Sequence, residues 1–150
     1  MIFREAKLSD LVRLRELEQA DVEAERPFNS SIREHDAIYY QLEDLITSQN
    51  SKLVVVEVKG DIIATGYGQI RDSKRSLTHE DHCYLGFMYV AEGYRGNGIN
   101  KQVVDELIAW SKSKGVNDFY LDVYSENASA LLAYKKAGFI PTLLEMKLNL

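Results

Sequence analysis

The segment Tyr94-Arg95-Gly96-Asn97-Gly98-Ile99-Asn100 limits what this chain can become more than any other stretch. It follows a run of strand-forming residues that ends at Val90, and it opens a helical pattern. A helix start carries backbone N–H groups without partners and the positive end of the macrodipole. Glycines let an anion approach that backbone, and Arg95 adds a full charge. The junction reads either as a tight turn with two glycines for conformation or as a cradle for a pyrophosphate. A dinucleotide-binding fingerprint is a rival, because Asp122 lies at a suitable distance for a ribose contact. That fingerprint needs its third glycine where Lys101 stands, and it opens a βαβ unit, whereas here a hairpin and a further strand come first.

The hydrophobic period supplies the surroundings of this loop. Ile2 to Glu5 reads as a short strand. Ser9 reads as an N-cap ahead of the stripe Leu11, Leu14, Leu17 and Val22. A second helix is expected from Ser31, with Glu34 at capping-box spacing and Ile38, Leu42, Leu45 and Ile46 as its apolar face. The period then changes. Leu53 to Val58 is a strand, Lys59-Gly60 a turn, and Ile62 to Arg71 the returning strand. A polar loop over Asp72 to Asp81 leads to a strand over His82 to Val90. Gly98 to Lys114 is helical and ends at Gly115. Phe119 to Tyr124 is a strand, Asn127 to Ala137 a helix, and Leu143 to Leu148 a last strand. The order β-α-α-β-β-β-α-β-α-β implies a mixed sheet with helices on its faces, in one domain spanning residues 1–150.

Composition excludes several classes of function. Of the residues, 45% are hydrophobic and 27% charged, as in ordinary globular proteins. A formal charge of −5 argues against nucleic acid or an anionic membrane as the main partner. Cys83 is alone and reads as a packed thiol in a reducing compartment. No apolar run follows Arg4, Glu5, Lys7 and Asp10, so no signal peptide is expected and the cytoplasm is the expected location. His82, His79 and His35 are too scattered for a metal motif, and no metal is expected.

A second block narrows the choice: Asn127-x-x-Ala130-x-x-x-Tyr134-x-x-x-Gly138-Phe139, after the strand Tyr120 to Tyr124. Together with Arg95-x-x-Gly98 and the strand ending at Val90, it resembles the GNAT superfamily of N-acetyltransferases. Ile2-x-Arg4-x-Ala6 with Asp10 is similar too. Two positions depart from the family pattern: Asn100 stands where Gly or Ala is preferred, and Glu92 where Pro is frequent. The resemblance implies a GNAT-like fold, with a mostly antiparallel sheet, a splayed parallel strand pair and helices on both faces. It implies acetyl-CoA as co-substrate and direct attack by a primary amine, small-molecule or peptide, without a covalent enzyme intermediate. A non-catalytic acyl-CoA sensor is the alternative, and a homodimer is left open.

The same resemblance assigns roles. The pantetheine arm would lie between His82–Val90 and Phe119–Tyr124, pairing with backbone around Met88, Tyr89 and Val90 as an added strand does. A backbone N–H near Met88 would polarise the thioester carbonyl. Arg95, Gly96, Asn97, Gly98, Ile99 and Asn100 would hold the pyrophosphate. Asn127 and Ala130 would meet the pantetheine, although an N-cap accounts for Asn127 equally well. Tyr134 matches the position that protonates the leaving thiolate, against a plain core aromatic on the Ala130–Leu131 face. For the general base the residues leave several candidates. Strand alternation groups His82, Tyr84, Gly86 and Met88 on one face and Cys83, Leu85, Phe87 and Tyr89 on the other, which nominates Tyr84 and His82. Glu23, Glu25, Tyr39 and Tyr40 read either as contacts for a cationic amine or as a solvated helix face.

Overall fold

Leu53, Val54, Val55 and Val56 are all buried. Successive strand residues face opposite ways, so this run must be covered on both sides. In the computed structural model, which describes residues 1–150, it lies in β2 (Ser51–Val58). The five-stranded sheet runs β1 (Ile2–Glu5), β2, β3 (Asp61–Asp72), β4 (Asp81–Val90), β5 (Phe119–Tyr120). The first four strands pair antiparallel, and β4 pairs with β5 in parallel.

α1 (Leu11–Glu25) and α2 (Leu42–Thr47) cover one face, packing Leu14, Leu17, Leu42 and Leu45 on Leu53, Val55, Tyr67 and Phe87. α3 (Ile99–Ser113) covers the other, packing Ile99, Val103 and Leu107 on Val54, Val56, Cys83 and Leu85. Each such side chain contributes about 1.5–3 kcal/mol by leaving water. α4 (Ala128–Lys136) follows β5. The mixed sheet with helices on both faces is therefore the expected architecture, and Cys83 is the packed thiol expected. No helix is long and apolar enough to cross a membrane.

Four expectations about local structure are corrected. α1 begins at Leu11 after a 3-10 turn over Leu8–Asp10, so Asp10 rather than Ser9 holds the N-cap position, and its side chain makes no bond to the helix N–H groups. The Asp10 carboxylate accepts from the Lys7 N–H at 2.8 Å and from both arms of Arg4 at 2.8 and 3.1 Å. No helix opens at Ser31; only Leu42–Thr47 is helical. The reason is tertiary. The Glu18 carboxylate takes the Tyr39 and Tyr40 N–H groups at 2.9 and 2.8 Å, and Gln19 donates to the Ala37 carbonyl at 2.8 Å, so this backbone is satisfied without a helix.

The strand expected over Phe119 to Tyr124 pairs only through Tyr120, because beyond that point it diverges from β4. The strand expected over Leu143 to Leu148 does not form, and Leu143, Leu144, Met146 and Leu148 are exposed. Strand propensity needs a partner edge, and β5 offers only two paired residues.

Candidate active site

The site is organised by a defect in β4. Tyr67 pairs with Gly86, but Thr65 pairs with Tyr89, so one residue of β4 is extra. That bulge is centred on Phe87, which takes a positive φ of 50° and whose carbonyl accepts from the Thr65 hydroxyl at 2.8 Å. A bulge resets the alternation of the strand. Cys83 and Leu85 therefore face α3, while Phe87 joins the α1 side and Met88 packs on the α3 side. This corrects the grouping expected from simple alternation.

The bulge also aims the backbone. Ala91 N–H bonds to the Ile63 carbonyl on β3 at 2.8 Å, so alternation turns the N–H groups of Met88 and Val90 to the opposite side. On that side β5 pairs only with Cys83 and Tyr84 and then leaves. A gap thus opens beside Met88, Tyr89 and Val90, with unpaired strand backbone on its wall.

The glycine-rich loop closes one end of the gap. Gly96 and Gly98 have φ of 82° and 76°, in the left-handed region that side-chain-bearing residues avoid. Gly98 is the N-cap of α3. None of the backbone N–H groups from Gly96 to Lys101 donates to an acceptor in the chain. The Arg95 Nε donates to the Val90 carbonyl at 2.7 Å, and its guanidinium lies 5.5 Å from the Tyr89 ring centroid. The Asn97 side chain is held by the Tyr94 carbonyl at 3.1 Å. Free N–H groups, a helix dipole and a guanidinium together form an anion site.

α4 reaches the loop through Tyr134, which lies beside Asn100. Asn127 is its N-cap, accepting from the Ala130 N–H at 3.3 Å; the capping oxygen leaves the amide NH2 of Asn127 without a bond in the chain. Tyr134 is half-buried, edge-on to Phe139 with centroids 5.8 Å apart. Burial pushes its hydroxyl up from the usual phenol range. The neighbouring Asn100 side chain acts the other way, and the Asp21 and Glu25 carboxylates add to the rise. Asn100, one of the two departures from the family pattern, thus lies beside Tyr134.

On the α1 side of the sheet lies a layer of aromatic rings. Tyr40 stacks on Phe87 at 4.5 Å and meets Tyr67 edge-on at 5.9 Å, and Tyr39 meets Tyr40 at 5.6 Å. The Tyr40 hydroxyl donates to Asp21 Oδ2 at 2.6 Å. Asp21 is only 8% exposed, and burial pushes its carboxyl up to about 7. The Tyr40 hydrogen bond and the Arg95 charge hold it down, and Glu25 and Glu18 push it further up. Glu25 is also raised by burial. A cavity of about 550 Å³ opens beside this layer, walled by Asn29, Arg33, Asp36, Tyr39 and Tyr124. Asn29 donates to the Tyr124 hydroxyl at 3.0 Å.

The residues named from sequence therefore divide. Met88, Tyr89 and Val90 lie beside the gap, Arg95 is bonded to Val90, and Tyr134 lies beside Asn100, whereas Asn127 and Ala130 are held in the N-terminal turn of α4. Tyr84 lies nearer the closed end; its hydroxyl donates to Asp122 at 2.9 Å, and Arg71 covers its ring at 4.0 Å. His82 is not brought to the gap. It pairs with Arg71 near the start of β4, about 20 Å along the strand from Met88 at ~3.3 Å per residue. There it shares the Ser73 hydroxyl with His79, at 3.0 and 2.7 Å. Asp21 and its coupling to Tyr40 were not read from the sequence. The available signal was an acidic residue on the buried stripe of α1, four residues after Leu17.

Comparison with known proteins agrees with this fold. Residues 12–139 match the Acetyltransferase (GNAT) family. The chain is 40% identical over 57 residues to the uncharacterized N-acetyltransferase YobR of Bacillus subtilis, a stretch covering 38% of this chain and 23% of that protein. It spans between 23% and 42% of the curated relatives it matches. A tetramutant of the BH1408 protein of Bacillus halodurans shares the fold with a TM-score of 0.86 at 24% identity, over 100% of both chains. A predicted acetyltransferase of Clostridium acetobutylicum, solved with acetyl-CoA, shares it with a TM-score of 0.77 at 21% identity, over 99% of this chain and 95% of that one. The match over residues 12–139 takes in both the glycine-rich loop and α4, and the chain belongs to the GNAT family of acetyltransferases.

Proposed function

We propose that this protein transfers an acetyl group from acetyl-CoA to a primary amine, by direct attack of the amine on the thioester. One observation carries the reading: the unpaired backbone N–H groups of Gly96 to Lys101 follow a stretch of β4 whose Met88 and Val90 N–H groups face away from β3, on the side that β5 has left. The loop would hold the pyrophosphate, and the β4 backbone would hold the extended pantetheine arm. The Met88 N–H then polarises the thioester carbonyl, as a preorganised donor does. Tyr134, beside Asn100 of the loop, gives its hydroxyl proton to the departing thiolate in this reading. The cavity walled by Tyr39 and Tyr124 admits the acceptor, a small-molecule or peptide amine, from the opposite side of the sheet. We take the whole chain as one cytoplasmic catalytic domain, alone or as a homodimer.

The test is thiol release from acetyl-CoA against a panel of amines, beside calorimetric titration with acetyl-CoA and with NAD. Acetyl-CoA binding with amine-dependent thiol release is the expected result. Acetyl-CoA binding with no thiol release on any amine returns the non-catalytic sensor. NAD binding without acetyl-CoA binding refutes the site itself.

A further inference from the structure

Resting on that reading, we infer that Asp21 takes the proton from the acceptor ammonium, with Tyr40 as the residue that positions it. Near neutral pH a primary amine is almost entirely protonated, and its nitrogen has no lone pair with which to attack. Some group beside the thioester must remove that proton. His82 is too far along β4, and the Tyr84 hydroxyl is already spent on Asp122.

Asp21 meets the geometric demands. It projects from the buried face of α1, and its Oδ2 is fixed by the Tyr40 hydroxyl at 2.6 Å. The Tyr40 ring is stacked on Phe87, the bulged residue next to Met88. This one stacked ring ties the carboxylate to the backbone that holds the thioester. Oδ1 has no hydrogen bond in the chain and is left to receive a proton. The charged and titratable groups around Asp21 come from every neighbouring element: Glu18 and Glu25 on α1, Tyr40 before α2, Arg95 in the loop, and Tyr134 on α4. Asp21 thus lies between the cavity side, through Tyr39 and Tyr40, and the acyl side, through Arg95 and Tyr134. The buried carboxyl titrates close to neutrality, where a base is most effective.

The ammonium gives one proton to Asp21 Oδ1 and becomes a free amine. Its lone pair forms the C–N bond to the thioester carbon, and the C–S bond breaks with its electron pair going to sulfur. The nitrogen loses its second proton to solvent as the amide forms, Tyr134 gives its proton to the thiolate, and solvent returns one proton to Tyr134. The products are the N-acetylated amine and CoA thiol, with one net proton released to solvent through Asp21.

The experiment is the pH profile of kcat/KM for the intact protein, with acetyl-CoA and the best amine of the panel, between pH 5.5 and 10. The parent should rise through a limb near pH 7 and then level off until the amine itself deprotonates. Asp21→Asn keeps an acceptor for Tyr40 but cannot take a proton. It should lose about 10²-fold at pH 7, and its remaining rate should climb about tenfold per pH unit without the plateau. Tyr40→Phe removes a hydrogen bond that favours the carboxylate, so its limb should move to higher pH. Acetyl-CoA affinity, read by calorimetry, should stay within about threefold in both variants. Asp21→Asn with turnover within threefold of the parent at pH 7, or with the parent's limb intact, overturns the assignment of Asp21 and leaves the transferase reading standing. A parent that binds acetyl-CoA and releases no thiol with any amine overturns the transferase reading, and the role of Asp21 with it. Loss of acetyl-CoA binding in Asp21→Asn makes Asp21 structural and also overturns the assignment.

Discussion

Asp21→Asn should make the folded protein more stable at alkaline pH while making it a poorer catalyst. In the folded chain burial raises the Asp21 carboxyl from the ordinary value of 3.8 to about 7. The folded state therefore holds a proton that the unfolded state has lost, and stability falls as pH rises between those two values. At ~1.4 kcal/mol per pH unit, a rise of about three units costs on the order of 4 kcal/mol above pH 8. Roughly 2.5 kcal/mol of that develops between pH 5 and pH 8. Asn carries no charge and still accepts from Tyr40, but its NH2 group replaces an oxygen that no partner in the chain engages. An unsatisfied amide there costs about 1–3 kcal/mol. The net gain at pH 8 is then ~2 kcal/mol, or roughly 4–8 °C in Tm for a chain of this length. At pH 5 the gain should vanish. Thermal melts of parent and variant at half-unit steps from pH 5 to pH 9 measure the difference directly. A difference that does not change with pH, or a variant less stable than the parent at pH 8, would refute the claim that this buried carboxylate strains the fold.

The remaining predictions concern the acyl side. Gly98→Val forces a β-branched residue to a φ of 76°, which costs about 1–2 kcal/mol. The position faces open space, so the protein should fold while acetyl-CoA affinity by calorimetry drops at least about tenfold; unchanged affinity removes the loop from the site. Tyr134→Phe keeps the ring that packs on Phe139 and should lower kcat about 10²-fold with acetyl-CoA affinity little changed. Turnover within a factor of about three, with an intact melting curve, makes Tyr134 a packing residue. Asn100→Gly removes the side chain beside the Tyr134 hydroxyl and should lower kcat about threefold to tenfold. Unchanged kcat with tighter acetyl-CoA binding would make Asn100 a mere obstruction.

What was legible in the sequence, and what was not, follows from the range over which each feature is determined. The loop from Tyr94 to Asn100, the α3 stripe and the Asn127 cap are local: their spacing sets their conformation, and the structure keeps them where the spacing put them. The double burial of Leu53 to Val56 is likewise written in a run with no polar alternation. The helix expected from Ser31 failed in part because the Tyr39 and Tyr40 N–H groups are claimed by Glu18, a residue on a different element, which no window around Ser31 contains. The reversal of faces at Phe87 escaped for a related reason. A bulge is a property of two strands in register, and alternation read along one strand carries every later side chain to the wrong face. Asp21 was within reach. Leu14, Leu17, Glu18, Asp21, Val22 and Glu25 follow the i, i+3, i+4, i+7, i+8, i+11 spacing of one helix face, and the carboxylates on it sit where Leu would have been more stable. Helix packing gains nothing from buried charge, which costs several kcal/mol unless a hydrogen bond or a reaction requires it. Glu18 is answered by two backbone N–H groups. Both of those bonds fall on one Glu18 oxygen, and Asp21 too is answered at a single oxygen, so what sets Asp21 apart is its link through the Tyr40 ring to Phe87, the bulged residue beside Met88.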